Sequence, residues 1–175
     1  FNNDRYFDVF VEYAKDGPDD ILVQITAVNR GPEQAELHLL PTLWFRNDWA
    51  SWIAPSNRAA EKPTLAQIKA AAGTRAIEAQ HATLGKYYLY CDGDVTLLFT
   101  ENETNTQRIF GVANRTPYVK DSINDYVVNG QAAAVNPEKK GTKVAAHYRL
   151  TVNPGQSQVF RLRLSDVAPA VLAQT

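Results

Sequence analysis

The 175-residue chain is 45% hydrophobic and 21% charged, enough apolar side chain for one substantial core and too polar for a membrane span. Its formal net charge is −1 with acids and bases interspersed, so no field of one sign attracts nucleic acid or an anionic bilayer, and neither is expected as a partner. Cys91 is the only cysteine, which excludes an internal disulfide and a cysteine-clustered metal site and fits a reducing, cytoplasmic compartment.

Residues 6–13 place Phe7, Val9, Val11 and Tyr13 on one side of an extended segment and Asp8 and Glu12 on the other, the period of a strand. A β-branched run at 21–28 and a second apolar run at 35–45 flank the turn formers Asn29, Gly31 and Pro32, which predicts a hairpin. Pro41 cannot donate to a ladder, so the second arm is expected at an edge or bulged there. The spacing of Leu65, Ile68 and Ala72, with the capping-box pair Thr64 and Gln67 and a terminal Gly73, predicts a short helix over 64–73.

Segments 86–91 and 95–100 flank Asp92-Gly93, a pair suited to a tight turn, and read as another hairpin. Residues 100–106 are polar and read as a loop. Val119, Ile123, Tyr126 and Val127 share a helical face, with Asp121 at the start and Gly130 at the end, which predicts a short helix. The cleanest alternation follows: Val144, Ala146, Tyr148, Leu150 and Val152, then, beyond Asn153-Pro154-Gly155, Phe160, Leu162 and Leu164 with Arg161 and Arg163 between them. The two arginines predict a solvated or interface-covered sheet face. Together these elements predict an all-β antiparallel sandwich over 1–166 with one or two short helices, followed by a linker over 167–175.

No nucleophile elbow, Walker loop, dinucleotide fingerprint or zincin motif occurs, so no cofactor is implied. His38, His81 and His147 lack ligand spacing, and no metal site is expected. Glycoside hydrolysis needs two carboxylates flanking the scissile bond. Asp92 and Asp94 read as turn residues. Glu101 and Glu103 would share a face if the strand continued, and Asp121 and Asp125 lie one helical turn apart, equally suited to capping; no pair is assigned catalysis. All three tryptophans fall in 43–52, where Arg46, Asn47 and Asp48 accompany Trp44, Trp49 and Trp52. Such a stretch suits the apolar faces and hydroxyls of a sugar, and equally suits core packing or anchorage of a neighbouring domain. Asn102-Glu103-Thr104 and Asn114-Arg115-Thr116 match the glycosylation triplet and are read as ordinary loop residues.

Six segments taken in order, 5–15 (RYFDVFVEYAK), 29–33 (NRGPE), 40–47 (LPTLWFRN), 99–105 (FTENETN), 117–126 (PYVKDSINDY) and 141–148 (GTKVAAHY), resemble the N-terminal region of bacterial glucosidase-like proteins related to the processing α-glucosidases of glycoside hydrolase family 63. The resemblance implies a galactose-mutarotase-like supersandwich ahead of an (α/α)6 toroid that carries the catalytic carboxylates. The chain begins at Phe1 and contains no methionine, and reads as a piece of a larger enzyme, without catalytic residues of its own. The resemblance places Trp44, Arg46, Asn47, Trp49, Trp52, Glu101, Asn102, Glu103, Asn105, Tyr118, Asp121 and Asp125 near the substrate or the domain interface. The expected partners are the toroid and an oligosaccharide; the alternative is an autonomous carbohydrate-binding module.

Overall fold

The structure is a computed structural model that describes residues 2–49 and 61–172. The chain opens on a single 3₁₀ turn, Asn2–Asp4, and continues through β1 (Phe7–Gly17), β2 (Asp20–Asn29), β3 (Ala35–Leu39), β4 (Thr42–Trp44), β5 (Thr64–Ile68), β6 (Thr74–His81), β7 (Gly85–Asp92) and β8 (Thr96–Thr100). Helices α1 (Thr106–Phe110) and α2 (Ser122–Asn129) follow, then a 3₁₀ turn at Ala132–Ala134, β9 (Lys140–Gly141), β10 (Lys143–Val152), β11 (Ser157–Ser165) and α3 (Pro169–Leu172).

The strands form two antiparallel sheets. The larger runs β1-β2-β11-β7-β6-β5-β9; in the smaller, β3 and β4 pair along one side of β10 and β8 along the other. The sheets face each other across a core in which Ile25, Leu65, Ile77, Leu89, Cys91 and Leu162 of the large sheet meet Leu97, Phe99, Val144, Ala146 and Tyr148 of the small one. This is the expected all-β sandwich. The alternation read in β10 and β11 is the one observed: the apolar set faces inward, while Arg161 and Arg163 point outward, Arg163 forking onto Asp20.

Strand pairing differs from the sequence reading at two places. Segments 21–28 and 35–45 do not form a hairpin: β2 lies in the large sheet and β3 in the small one. The segments around Asp92-Gly93 divide in the same way, β7 to the large sheet and β8 to the small. Period-2 alternation fixes which side chains face inward but not whether the next strand pairs alongside or stacks opposite, because both arrangements bury the same residues. Gly93 nevertheless adopts the positive φ that its turn requires. Among the described residues, the hairpins that do form are β1–β2, through Pro18-Asp19, β5–β6 and β6–β7.

The predicted helix at 64–73 is a strand. Residues 64–68 pair with β6 on one side and β9 on the other, and Leu65 is fully buried; two ladders outweigh a weak local preference. The helix expected near 119–130 is α2, preceded by Asp121 and closed by Gly130 at φ 65°. Two further short helices were not anticipated: α1, which begins where the stretch read as a loop ends, and α3 within 167–175. The start of that presumed linker is held, since the Tyr90 hydroxyl donates to the Val167 carbonyl; residues 173–175 lie outside the described region. Pro41 lies on an edge, as expected, but with its nitrogen on the β10 side rather than toward solvent: β3 and β4 keep one common register along β10 across it, and its carbonyl accepts from the Ala146 amide at 2.9 Å while the return bond is missing.

Asn29 joins two of the sheet-to-sheet crossings. It is buried, and its side-chain amide donates to the carbonyls of Glu33 at 2.8 Å and Val152 at 2.9 Å while its side-chain oxygen accepts from the Gly31 amide at 2.9 Å. Its own backbone bonds Gln156 and Gly155 across the β10–β11 turn. Replacement by alanine strands these partners away from water, so Asn29→Ala is expected to cost about 2–3 kcal/mol, measured by urea denaturation, whereas Asn153→Ala in the exposed turn should cost well under half as much.

Candidate functional site

The sequence-selected residues converge at the end of the sandwich where β4, β8 and β10 meet. Thr100 ends β8, and the following loop is held by backbone bonds from Glu101 N to Tyr118 O at 2.7 Å and from Lys120 N to Glu103 O at 3.0 Å. This clamp projects the Glu101 and Glu103 side chains to the same side. Gly141, where the chain crosses from the large sheet to the small, passes flush against this point: a Cβ there would lie 2.9 Å from the Thr100 carbonyl carbon and closer still to its oxygen. Only glycine permits that approach.

Lys62 sits between the two carboxylates, its ammonium 3.1 Å from Glu101 and 3.1 Å from Glu103. The Trp49 indole N–H donates to Glu103 Oε1 at 3.0 Å, and the ammonium lies 5.9 Å from the Trp49 ring centroid, a cation–π contact. On the other side, the Thr142 hydroxyl donates to Glu101 Oε2 at 2.7 Å and accepts from the Asn102 amide at 2.8 Å. Asn102 also donates from its side chain to the Phe45 carbonyl at 2.8 Å, and Asn47 donates to the Asn102 carbonyl at 2.9 Å. Asn47, Trp49, Glu101, Asn102 and Glu103 are thus one hydrogen-bonded unit.

The charges of Glu103 and Lys62 are mutually supported. Burial alone would raise the carboxyl of Glu103, which is only 7% exposed, but the Trp49 N–H and the Lys62 ammonium outweigh it and hold it below the usual glutamate range. Burial likewise would lower Lys62, and the two carboxylates reverse that and raise it. An acid held ionised and an amine held protonated have no proton to exchange near neutral pH, so the pair is a poor general acid–base couple.

The remaining candidates form a neighbouring polar joint. Asn105 caps α1 by accepting from the Arg108 amide at 3.0 Å and donates to Asp121 Oδ2 at 3.2 Å. Arg108 reaches the same Asp121 oxygen at 3.3 Å, and Asn114 donates to Asn105 at 3.0 Å. Asp125 does not join Asp121 in holding anything; it accepts from Asn129 one turn on. Tyr118 contributes through its carbonyl. Trp44 is exposed and Arg46 lies at the surface; Trp52 lies outside the described residues. Both glycosylation triplets have their asparagine amides engaged within the fold.

Lys62 and Thr142 were not singled out from sequence. Lys62 lies 41 residues from Glu103, and no local pattern marks a lone lysine as the bridge between two acids. His38 and His147, distant in sequence, bring ring nitrogens to 3.1 Å on the outer face of the small sheet, with Tyr126 edge-on to His147. No group of three or more potential metal ligands occurs among the described residues, and none of their helices is long and apolar enough to cross a membrane.

No protein-family model matches the chain. It is 33% identical over a 187-residue alignment to an uncharacterized protein of Saccharomyces cerevisiae, YMR196W, an alignment that takes in 92% of this chain and 17% of the yeast protein. The chain therefore spans about one sixth of the length of that relative.

Because Glu103 has a folded-state pKa below its ordinary value of 4.5, its contribution to stability is complete above that value and is lost as pH falls through the depressed one. Glu103→Gln keeps an acceptor for Trp49 but removes the charge. The variant is expected to be less stable by about 1–2 kcal/mol at neutral pH and to lose less stability than the parent on acidification, both measured by urea denaturation followed by Trp fluorescence.

Proposed function

We propose that this chain is a non-catalytic β-sandwich domain of a larger carbohydrate-cleaving enzyme, in which the Trp49–Lys62–Glu103 face packs against a separate catalytic domain and borders its substrate entrance. The observation that carries the reading is that the Glu101 and Glu103 side chains are both engaged within the fold. These are the two acids closest to a glycosidase-like pair, and they are bonded to Lys62, Trp49 and Thr142 rather than left open to a substrate. The glucosidase assignment rests on the resemblance of the six ordered segments to proteins related to glycoside hydrolase family 63, with the supersandwich and the (α/α)6 toroid that this implies. The length of the yeast relative beyond the aligned part leaves room for such a catalytic domain.

An autonomous sugar-binding module would need a free aromatic platform. Trp49 does not provide one, since its N–H is engaged by Glu103 and its ring by Lys62, which leaves the exposed Trp44 as a single ring rather than a paired platform among the described tryptophans. A cytoplasmic location is part of the proposal, supported by the lone reduced cysteine.

Calorimetric titration distinguishes the readings. The 175-residue chain should give no heat with glucose or α-linked glucose disaccharides and should bind the separately expressed remainder of its parent protein, with affinity reduced at least tenfold by Trp49→Ala, about 1.4 kcal/mol or more. Sugar binding by the chain alone would replace the accessory-domain reading with the module.

A further inference from the structure

The two sheets are unequal in width, and the excess is apolar. β1 is the terminal strand of the large sheet, and Val9, Val11 and Tyr13 on its inner face pair with Ala27, Ile25 and Val23 of β2. Ala27 and Ile25 are buried, yet Val11 is 46% and Tyr13 73% exposed, because among the described residues the small sheet ends at β3–β4 and does not extend over β1. The result is an open groove of about 440 Å³, lined on one side by Val11, Tyr13 and Val23 and on the other by Leu39, Pro41 and Leu43.

The edge beside that groove carries backbone that no strand pairs among the described residues, the Leu40 carbonyl taking only a local bond from the Thr42 hydroxyl at 2.8 Å. The bonds from Ala146 N to Pro41 O and from Phe45 N to Thr142 O show that the odd-numbered residues of β3–β4 bond β10. The N–H and C=O groups of Glu36, His38, Leu40, Thr42 and Trp44 therefore point away from it. Among the described residues no strand pairs on that side. Edge strands are commonly protected by a proline that removes an outward donor. Pro41 gives no such protection: its missing N–H would have faced β10, so the outward row keeps every donor.

We infer that the free edge of β3–β4 and the uncovered inner face of β1 form a slot for one additional β-strand, supplied by polypeptide of the same protein outside residues 1–175. Its backbone pairs with the outward groups of β3–β4, and every second side chain is apolar and lies over Val11 and Tyr13. The slot defines the occupant: a ladder edge accepts extended backbone, and sheets stacked about 10 Å apart accept alternating apolar side chains. The source follows from length, since most of the yeast relative lies outside the aligned region. This inference does not depend on the glycosidase reading.

Amide hydrogen exchange tests it, comparing the 175-residue chain at low and high concentration with the full parent protein. The amides of His38, Leu40 and Thr42 should exchange freely in the shorter chain at both concentrations and slow by on the order of tenfold or more in the parent. Thr42→Pro, which deletes an outward donor without touching the β10 ladder, should abolish that slowing. Val11→Lys should do the same from the opposite wall of the groove. Fast exchange in the parent would overturn the inference. So would slowing in the shorter chain at high concentration, which would assign the edge to a second copy, or slowing in the parent that survives both substitutions.

Discussion

The two faces of this sandwich are held in place by the points where the chain passes from one sheet to the other, and Asn29 is the most constrained of them. Its side chain is buried with three backbone partners, two in the β2–β3 crossing and one at the end of β10. Apolar burial is non-directional and would tolerate sliding of one sheet over the other. Directional bonds to fixed backbone groups do not. The register in which Leu97, Phe99 and Val144 meet Ile77, Leu89 and Cys91 therefore depends on a polar residue that contributes little to the core itself. At the other end, Gly141 serves the same purpose by allowing the chain to pass against Thr100 with no side chain between them.

Much of this was legible in the sequence, and what was not has a common cause. Alternation identified the inward residues of β10 and β11, and the ends of α2 were read from Asp121 and Gly130, because both signals are local. The partners of β2 and β7 were misassigned because stacking and pairing bury the same side chains. The segment at 64–68 was misread as helical because its decisive contacts, with β6 and β9, are remote in sequence. In the candidate site, the aromatic and acidic residues were recognisable by type. Lys62, which bridges them, was not, since its role exists only after the chain between it and Glu103, 41 positions on, has folded.

The site illustrates how the same residue types serve opposite ends. Two glutamates and a tryptophan could line a sugar pocket, but a shared ammonium and an indole N–H tie the carboxylates into the fold. Because Glu101 and Glu103 follow β8 directly and are clamped through Tyr118 and Lys120 to the segment entering α2, the unit also fixes that segment relative to the β8–β10 pair. Its rigidity suits a surface that must present a constant shape to whatever lies beside it.

Cys91 lies at the centre of the large sheet with no exposed surface, and burial pushes its thiol up to about 12. Reaction with a thiol reagent needs both access and the thiolate, and the folded state withholds both. Since this is the chain's only sulfhydryl, the rate at which it becomes modified is a clock for opening of the core. The protein thus carries its own unfolding probe, one that needs no added label and is silent to fluctuations confined to the loops.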